Sequence, residues 1–143
     1  MIRLATRADI PDIVDLGVRH WTESRYGQWM PANRDVMAEL ARALVDGEDA
    51  LVLVDEQAGA VVGMIGVAVT PHIYSGEPVM SELFWYAPPE SRGSGVRLLR
   101  RAEGWAAARG VKHSAMIAPN ERVAEFYERM GYAALEVNYI KPL

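Results

Sequence analysis

Residues 80–110 read MSELFWYAPPESRGSGVRLLRRAEGWAAARG, and the order of residue types in that stretch sets the fold class. Met80 to Ala87 is dense in apolar and aromatic residues and predicts a strand, cut off by Pro88-Pro89. Arg92-Gly93-Ser94-Gly95 then makes a glycine-rich turn. Leu98, Leu99, Ala102, Trp105 and Ala106 recur at helical spacing as far as Gly110, so a helix follows. A strand feeding a helix through a tight turn is the building unit of α/β domains.

Toward the amino terminus, Ile2-Arg3-Leu4 predicts a short strand. Asp9 offers an N-cap and Pro11 a first turn to a helix with Ile10, Ile13, Val14 and Gly17 on one face. The stretch HWTESRYGQWMPANR, closed by Pro31, reads as a loop or short irregular helix. Asn33 caps a second helix with the stripe Val36, Met37, Leu40 and Leu44, ending near Gly47. Ala50 to Val54 and Val61 to Val69 form two strands about the Gln57-Ala58-Gly59 turn, and Pro71 to Pro78 connects onward. Toward the carboxyl terminus come a strand over Lys112 to Ile117, a helix from the Asn120 cap through Met130, and a final strand over Leu135 to Ile140. The order is β-α-α-β-β-β-α-β-α-β: one α/β domain spanning 1–143, with a mixed, mostly antiparallel sheet flanked by helices.

Composition narrows the chemistry. The 143 residues contain no Cys, which removes disulfides, thiolate metal sites and any thioester acyl-enzyme. The longest uncharged apolar run, Ala58 to Val69, falls short of the ~20 residues of a membrane helix, and the first residues lack a signal-peptide core. Both point to a soluble, cytoplasmic protein. The net charge of −4 argues against nucleic acid as a partner. It also hides an asymmetry: between Pro88 and Arg101 four Arg face one acid, a local +3, so the rest of the chain carries −7.

That cationic turn has a use. Glycines let consecutive amides converge, and the first amides of the following helix lack internal partners at its positive pole. Together they can cradle a phosphate or diphosphate. A plain strand-to-helix turn with a solvated basic face fits the same residues. No Lys follows the glycines as a P-loop requires, and Leu98 stands where a dinucleotide-binding turn needs its third Gly.

A second cluster, Asn120 to Tyr132, places Val123, Phe126, Tyr127 and Met130 on one helical face. With Pro89 to Gly95 and Leu98-Leu99, it makes the chain similar to the GNAT family of N-acetyltransferases. The first stretch resembles that family's R-x-x-G-x-[GA] acyl-CoA loop. The second resembles its N-x-x-[AV]-x-x-F-Y-x-x-x-G-[FY] signature. The order of elements matches along essentially the whole chain. One position departs, since Arg97 occupies the last [GA] of the loop. Its guanidinium could point outward to a phosphate, or it could weaken binding.

The resemblance implies that acetyl-CoA is the co-substrate and that the acetyl group passes directly to a primary amine of a small molecule or protein. It implies a diphosphate held by backbone amides over Arg92, Gly93, Ser94, Gly95, Val96 and Arg97. The strand end at Trp85 to Ala87 would pair with the pantetheine arm and present an amide to the thioester oxygen. Asn120 would contact the pantetheine, and Tyr127 would protonate the leaving thiolate. Glu82, on the strand leading to the thioester, is the candidate base, and a half-exposed or salt-bridged Glu82 is the plain alternative. His72 and His113 are weaker candidates. Trp21, Tyr26 and Trp29 lie where the acceptor segment of the family falls, with Glu23 available to attract a cationic amine; anchoring the loop would explain the same aromatics. The three His share no metal spacing, so no metal is expected. A homodimer is common in the family. A non-catalytic acyl-CoA-binding module and an aminoacyl-tRNA-directed acetyltransferase are the rival readings.

Overall fold

Among the described residues five strands fall into one sheet in the order in which they occur in the chain, β1-β2-β3-β4-β5. They are β1 (Ile2–Leu4), β2 (Ala50–Gln57), β3 (Ala60–Pro71), β4 (Pro78–Tyr86) and β5 (His113–Ala115). The computed structural model describes residues 1–91 and 93–143. Neighbours β1 to β4 pair antiparallel. Strands β4 and β5 run parallel, and a parallel pair needs a crossover; the helix α3 (Ser94–Ala108) supplies it.

Alternation along β2 shows why both faces are covered. Leu51 and Leu53 point into a cluster with Ile65, Val67 and Met80 under α3 and α4 (Glu121–Arg129). Val52 and Val54 join Met64 on the other face, beneath α1 (Ile10–Glu23) and α2 (Arg34–Asp46). The sheet is the middle layer of three. Among the described residues no helix is long and apolar enough to cross a membrane.

The expected elements differ from the structure at four places. The stretch after Gly17 continues as helix to Glu23 and then forms a 3-10 turn over Arg25–Gln28. No breaker precedes Ser24, the Arg19–Glu23 ion pair spans one turn, and the Thr22 hydroxyl bonds back to the Val18 carbonyl. Asp9 holds the N-cap position of α1 but gives its amides no side-chain cap bond; its carboxylate accepts from the Thr6 amide and is forked by Arg3. On α2 the buried face turns toward Met37, Ala41 and Leu44, leaving Val36 and Leu40 exposed.

The expected strand over Leu135 to Ile140 is absent. After Gly131 the Tyr132 hydroxyl donates to Glu103 and meets Ser114, and residues 133–143 then take no regular structure. Leu135, Val137 and Tyr139 are 88%, 76% and 94% exposed. Alternation encodes strand preference, but a strand needs an edge to pair with and a surface to cover.

Candidate active site

The β4–β5 pairing covers only Val79↔His113 to Ser81↔Ala115, while β4 runs on to Tyr86. Past Ser81 the pairing stops, because β5 itself ends at Ala115, and Glu82 stands in the fork between β4 and the chain leaving β5, whose Ile117 amide donates to it. Opposite it the β3–β4 register steps from Gly66↔Phe84 to Val67↔Glu82, which leaves Leu83 as a bulge. Strict alternation would put Glu82 and Trp85 on opposite faces. The bulge instead turns both toward α4: Tyr127 bonds Glu82 and packs against the Trp85 ring at 5.6 Å between centroids. Gly66 makes room for this, since a Cβ there would lie 2.4 Å from the Phe84 ring.

Tyr127 reaches the fork from the buried face of α4, whose N-cap Asn120 accepts from the Val123 amide at 3.0 Å. Its hydroxyl donates to Glu82 Oε2 at 3.2 Å, and the Ile117 amide donates to the same oxygen at 3.0 Å. Burial pushes the Glu82 carboxyl up to about 7, more than these two donors pull it down. Burial, then the Glu82 charge, pushes Tyr127 far above an ordinary phenol. A carboxylate able to take a proton near neutrality therefore touches a hydroxyl that stays protonated.

The glycine turn lies next to this pair. Ser91 closes the Pro89–Ser91 turn by donating its amide and hydroxyl to the Pro88 carbonyl. Gly93 sits at φ +75 as the N-cap of α3, a left-handed conformation that glycine adopts without strain. The first amides of α3, from Ser94 to Val96, fall outside the helical ladder. The Trp85 indole donates to the Gly95 carbonyl at 3.1 Å and packs beneath it, so β4 supports the turn directly. A left-handed glycine, convergent amides at a helix start and an open strand edge fit a diphosphate followed by an extended arm. Val96 is partly exposed, and Ala87 lies just past the end of β4. Arg92, expected within this cradle, lies outside the described residues.

Arg97, the position that departs from the family loop, has a partner within the chain. Its guanidinium spans to the buried Asp55 of β2, with Nη2 2.8 Å from Oδ2. Asp55 was not singled out from the sequence, although an acid ending the apolar run of Ala50 to Val54 is the kind of residue that demands a partner.

The aromatic segment forms a separate cluster. Trp21 stacks on Tyr26 at 5.3 Å and donates its indole N–H to the Met30 carbonyl, so it anchors the segment, while Tyr26 and Trp29 are exposed. Glu23 is not a free anion. It accepts from the Tyr86 hydroxyl at 2.7 Å and from Arg19 at 3.1 Å, and these bonds lower its pKa. Arg19 also binds Glu90 at 2.7 Å, and burial and Glu23 push Tyr86 up to about 12. Tyr86, Arg19 and Glu90, missed from the sequence, tie the last turn of α1 to the end of β4 and the start of the turn. His72 lies on the β3–β4 connection and His113 on β5, neither of them bonded to Glu82 or Tyr127. Among the described residues no three His, Asp or Glu side chains gather as a metal site.

The three-layer α/β fold has counterparts among known proteins. The acetyltransferase (GNAT) family model matches residues 15–132. The chain belongs to the GNAT acetyltransferase family. No curated protein matches it in sequence. Solved structures share the fold over 100% of this chain. A Trypanosoma brucei acetyltransferase has TM-score 0.74 at 20% identity over 99% of its own chain. A Bacillus halodurans transcriptional regulator has 0.78 at 20% over 99%. An aminoglycoside N-acetyltransferase in complex with CoA has 0.79 at 13% over 93%.

Proposed function

We propose that the protein transfers an acetyl group from acetyl-CoA directly to an unprotonated primary amine. The observation that carries this reading is the Tyr127–Glu82 hydrogen bond in the fork of β4 and β5, beside the supported glycine turn. Amides of Gly93 to Arg97 hold the diphosphate. The open edge of β4 at Trp85 to Ala87 takes the pantetheine arm and turns an amide toward the thioester oxygen. Asn120 borders the arm.

The amine nitrogen attacks the thioester carbon, and the C–S bond then breaks. Glu82 takes the proton that the nitrogen sheds, directly or through water. Tyr127 donates its proton to the departing sulfur. A phenol whose pKa is raised this far is a poor acid by itself. It becomes competent because the newly protonated Glu82, 3.2 Å away, returns a proton to the phenolate as it forms. Amine and acetyl-CoA thus become amide and free thiol, with both side chains restored.

Tyr26 and Trp29 wall the approach of the acceptor, held in place by Trp21. Glu23 shapes that approach through Tyr86, its own charge being matched by Arg19. The acceptor is a small molecule or protein amine; aminoglycoside acetyltransferases of the same fold make aminoglycosides the first to try. The reading places the protein in the cytoplasm, where acetyl-CoA is available, as a homodimer.

The test is thiol release from acetyl-CoA across a panel of polyamines, amino acids, aminoglycosides and peptides. Amine-dependent release that collapses in Tyr127→Phe is expected. CoA binding with no turnover on any amine would instead identify an acyl-CoA-binding module, and salt-sensitive RNA binding a tRNA-directed enzyme.

A further inference from the structure

Asp55 is fully buried at the end of β2, yet it is charged. Its register partners are Ile2 on β1 and Gly63 on β3. A Cβ on Gly63 would lie 2.5 Å from the Ser94 hydroxyl oxygen, so this level of the sheet sits directly under the first residue of α3. Burial would raise the Asp55 carboxyl. The amino-terminal ammonium at 2.9 Å, Gln57 at 3.0 Å and Arg97 at 2.8 Å overturn that and hold it ionised well below the carboxylate range. The buried Ser94 hydroxyl contributes to the lowering from beside it, without hydrogen-bond geometry.

Arg97 leaves α3 one turn from its start and bridges the glycine turn. One end of the guanidinium is fixed on Asp55. Nη1 lies 3.8 Å from where a Cβ on Gly93 would stand. Half the side chain faces solvent. A small residue at this position of the family loop gives a ligand only backbone amides; here the chain sets a full positive charge against the left-handed glycine and ties it to a buried acid. A long flexible side chain placed there untethered would lose most of its value to entropy.

We propose that Asp55 is a positioning residue for acyl-CoA, holding the Arg97 guanidinium at the Gly93 turn so that its charge meets the CoA diphosphate. This rests on the acyl-CoA reading above and adds to it a residue on β2, outside both signature stretches. The tether has a sign that separates it from bulk electrostatics. Neutralising Asp55 adds positive charge to the loop, which by charge alone would tighten phosphate binding; release of Arg97 weakens it.

The experiment is calorimetry with CoA and with 3′-dephospho-CoA, together with acetyl-CoA kinetics, on wild type, Asp55→Asn, Arg97→Ala and Arg97→Lys. Asp55→Asn and Arg97→Ala are expected to weaken CoA roughly tenfold, the scale of one charge-assisted bond. The double variant should be no worse than Arg97→Ala. KM for acetyl-CoA rises in step while kcat stays within about twofold, a split that general loosening of the fold would not give. The loss should be equal for 3′-dephospho-CoA, because the diphosphate is common to both. Arg97→Lys, which keeps the charge but not the forked span, should behave as Arg97→Ala; it decides the matter if Asp55→Asn fails to fold. Wild-type affinity in Arg97→Lys or tighter binding in Asp55→Asn overturns the inference, as does a loss that vanishes without the 3′-phosphate. Wild type that binds no CoA at all overturns the acyl-CoA reading with it.

Discussion

At the residue scale, two protons sit at unusual places. Glu82 takes up its proton near pH 7 because burial outweighs its two donors, so the active base fraction grows as pH rises through neutrality. The pH profile of kcat/KM should therefore rise through about 7, and Glu82→Gln should lose roughly 100-fold or more, within the range for a general base. A flat profile for wild type between pH 6 and 8 would remove Glu82 from that role. The same shift has a cost in stability. The folded chain binds this proton more tightly than the unfolded one, so between the ordinary value of 4.5 and about 7 the contribution of Glu82 to stability falls as pH rises. Glu82→Gln should accordingly unfold a few degrees higher than wild type at pH 8, with the difference closing toward pH 4. Tyr127→Phe removes only the hydroxyl: turnover should drop about tenfold or more while the CoA Kd is nearly unchanged, and normal acetylation by that variant would end the relay.

At the scale of elements, the bulge in β4 is the device that assembles the site. It lets Glu82 and Trp85, three residues apart, face the same helix, and it depends on the Phe84 ring lying across Gly66. Gly66→Ala should displace that ring, lower the melting temperature by several degrees and cut turnover out of proportion to CoA affinity, since Glu82 moves while the turn before α3 does not. Equal activity would show that the bulge is dispensable. This element also marks the limit of sequence reading. Strands β2 to β4, the glycine turn and the Asn120 cap were legible because each is local: alternation, a breaker, a capping side chain. Tyr127 and Glu82 became candidates through the family resemblance, since by type alone Tyr127 reads as a core aromatic and Glu82 as a half-exposed acid. Their shared face was not legible, because a bulge is set by which residue the neighbouring strand offers opposite it. The roles of Tyr86, Arg19 and Glu90 escaped for the same reason, as their partners lie across layers. The 135–140 segment failed in the opposite sense: its pattern is strand-like, but the partner that would make it one is not local either.

At the scale of the whole molecule, that segment and the sheet edge pose one question. Strand β5 ends the sheet with one side unpaired, beside a shallow hollow of about 210 Å³ lined by Ala106, Ala107, Val111 and Ser114 among others. Residues 133–143 leave Tyr132 next to that edge with Leu135, Val137 and Tyr139 in solvent. An open edge and an unpaired strand-like segment are both association hazards, and two copies related by a two-fold axis can satisfy both at once, each lending its segment to the edge of the other. The surface suffices. An extended segment of this length carries on the order of 1,700 Å². Two of them need bury only about a third of theirs to reach the ~1,200 Å² at the low end of specific interfaces. Sedimentation velocity at micromolar concentration should therefore find a dimer of wild type, and Val137→Asp with Tyr139→Asp should return a monomer that keeps its helical circular dichroism. A wild-type monomer at about 100 μM would sink the homodimer, and a dimer that survives both aspartates would move its interface to another face.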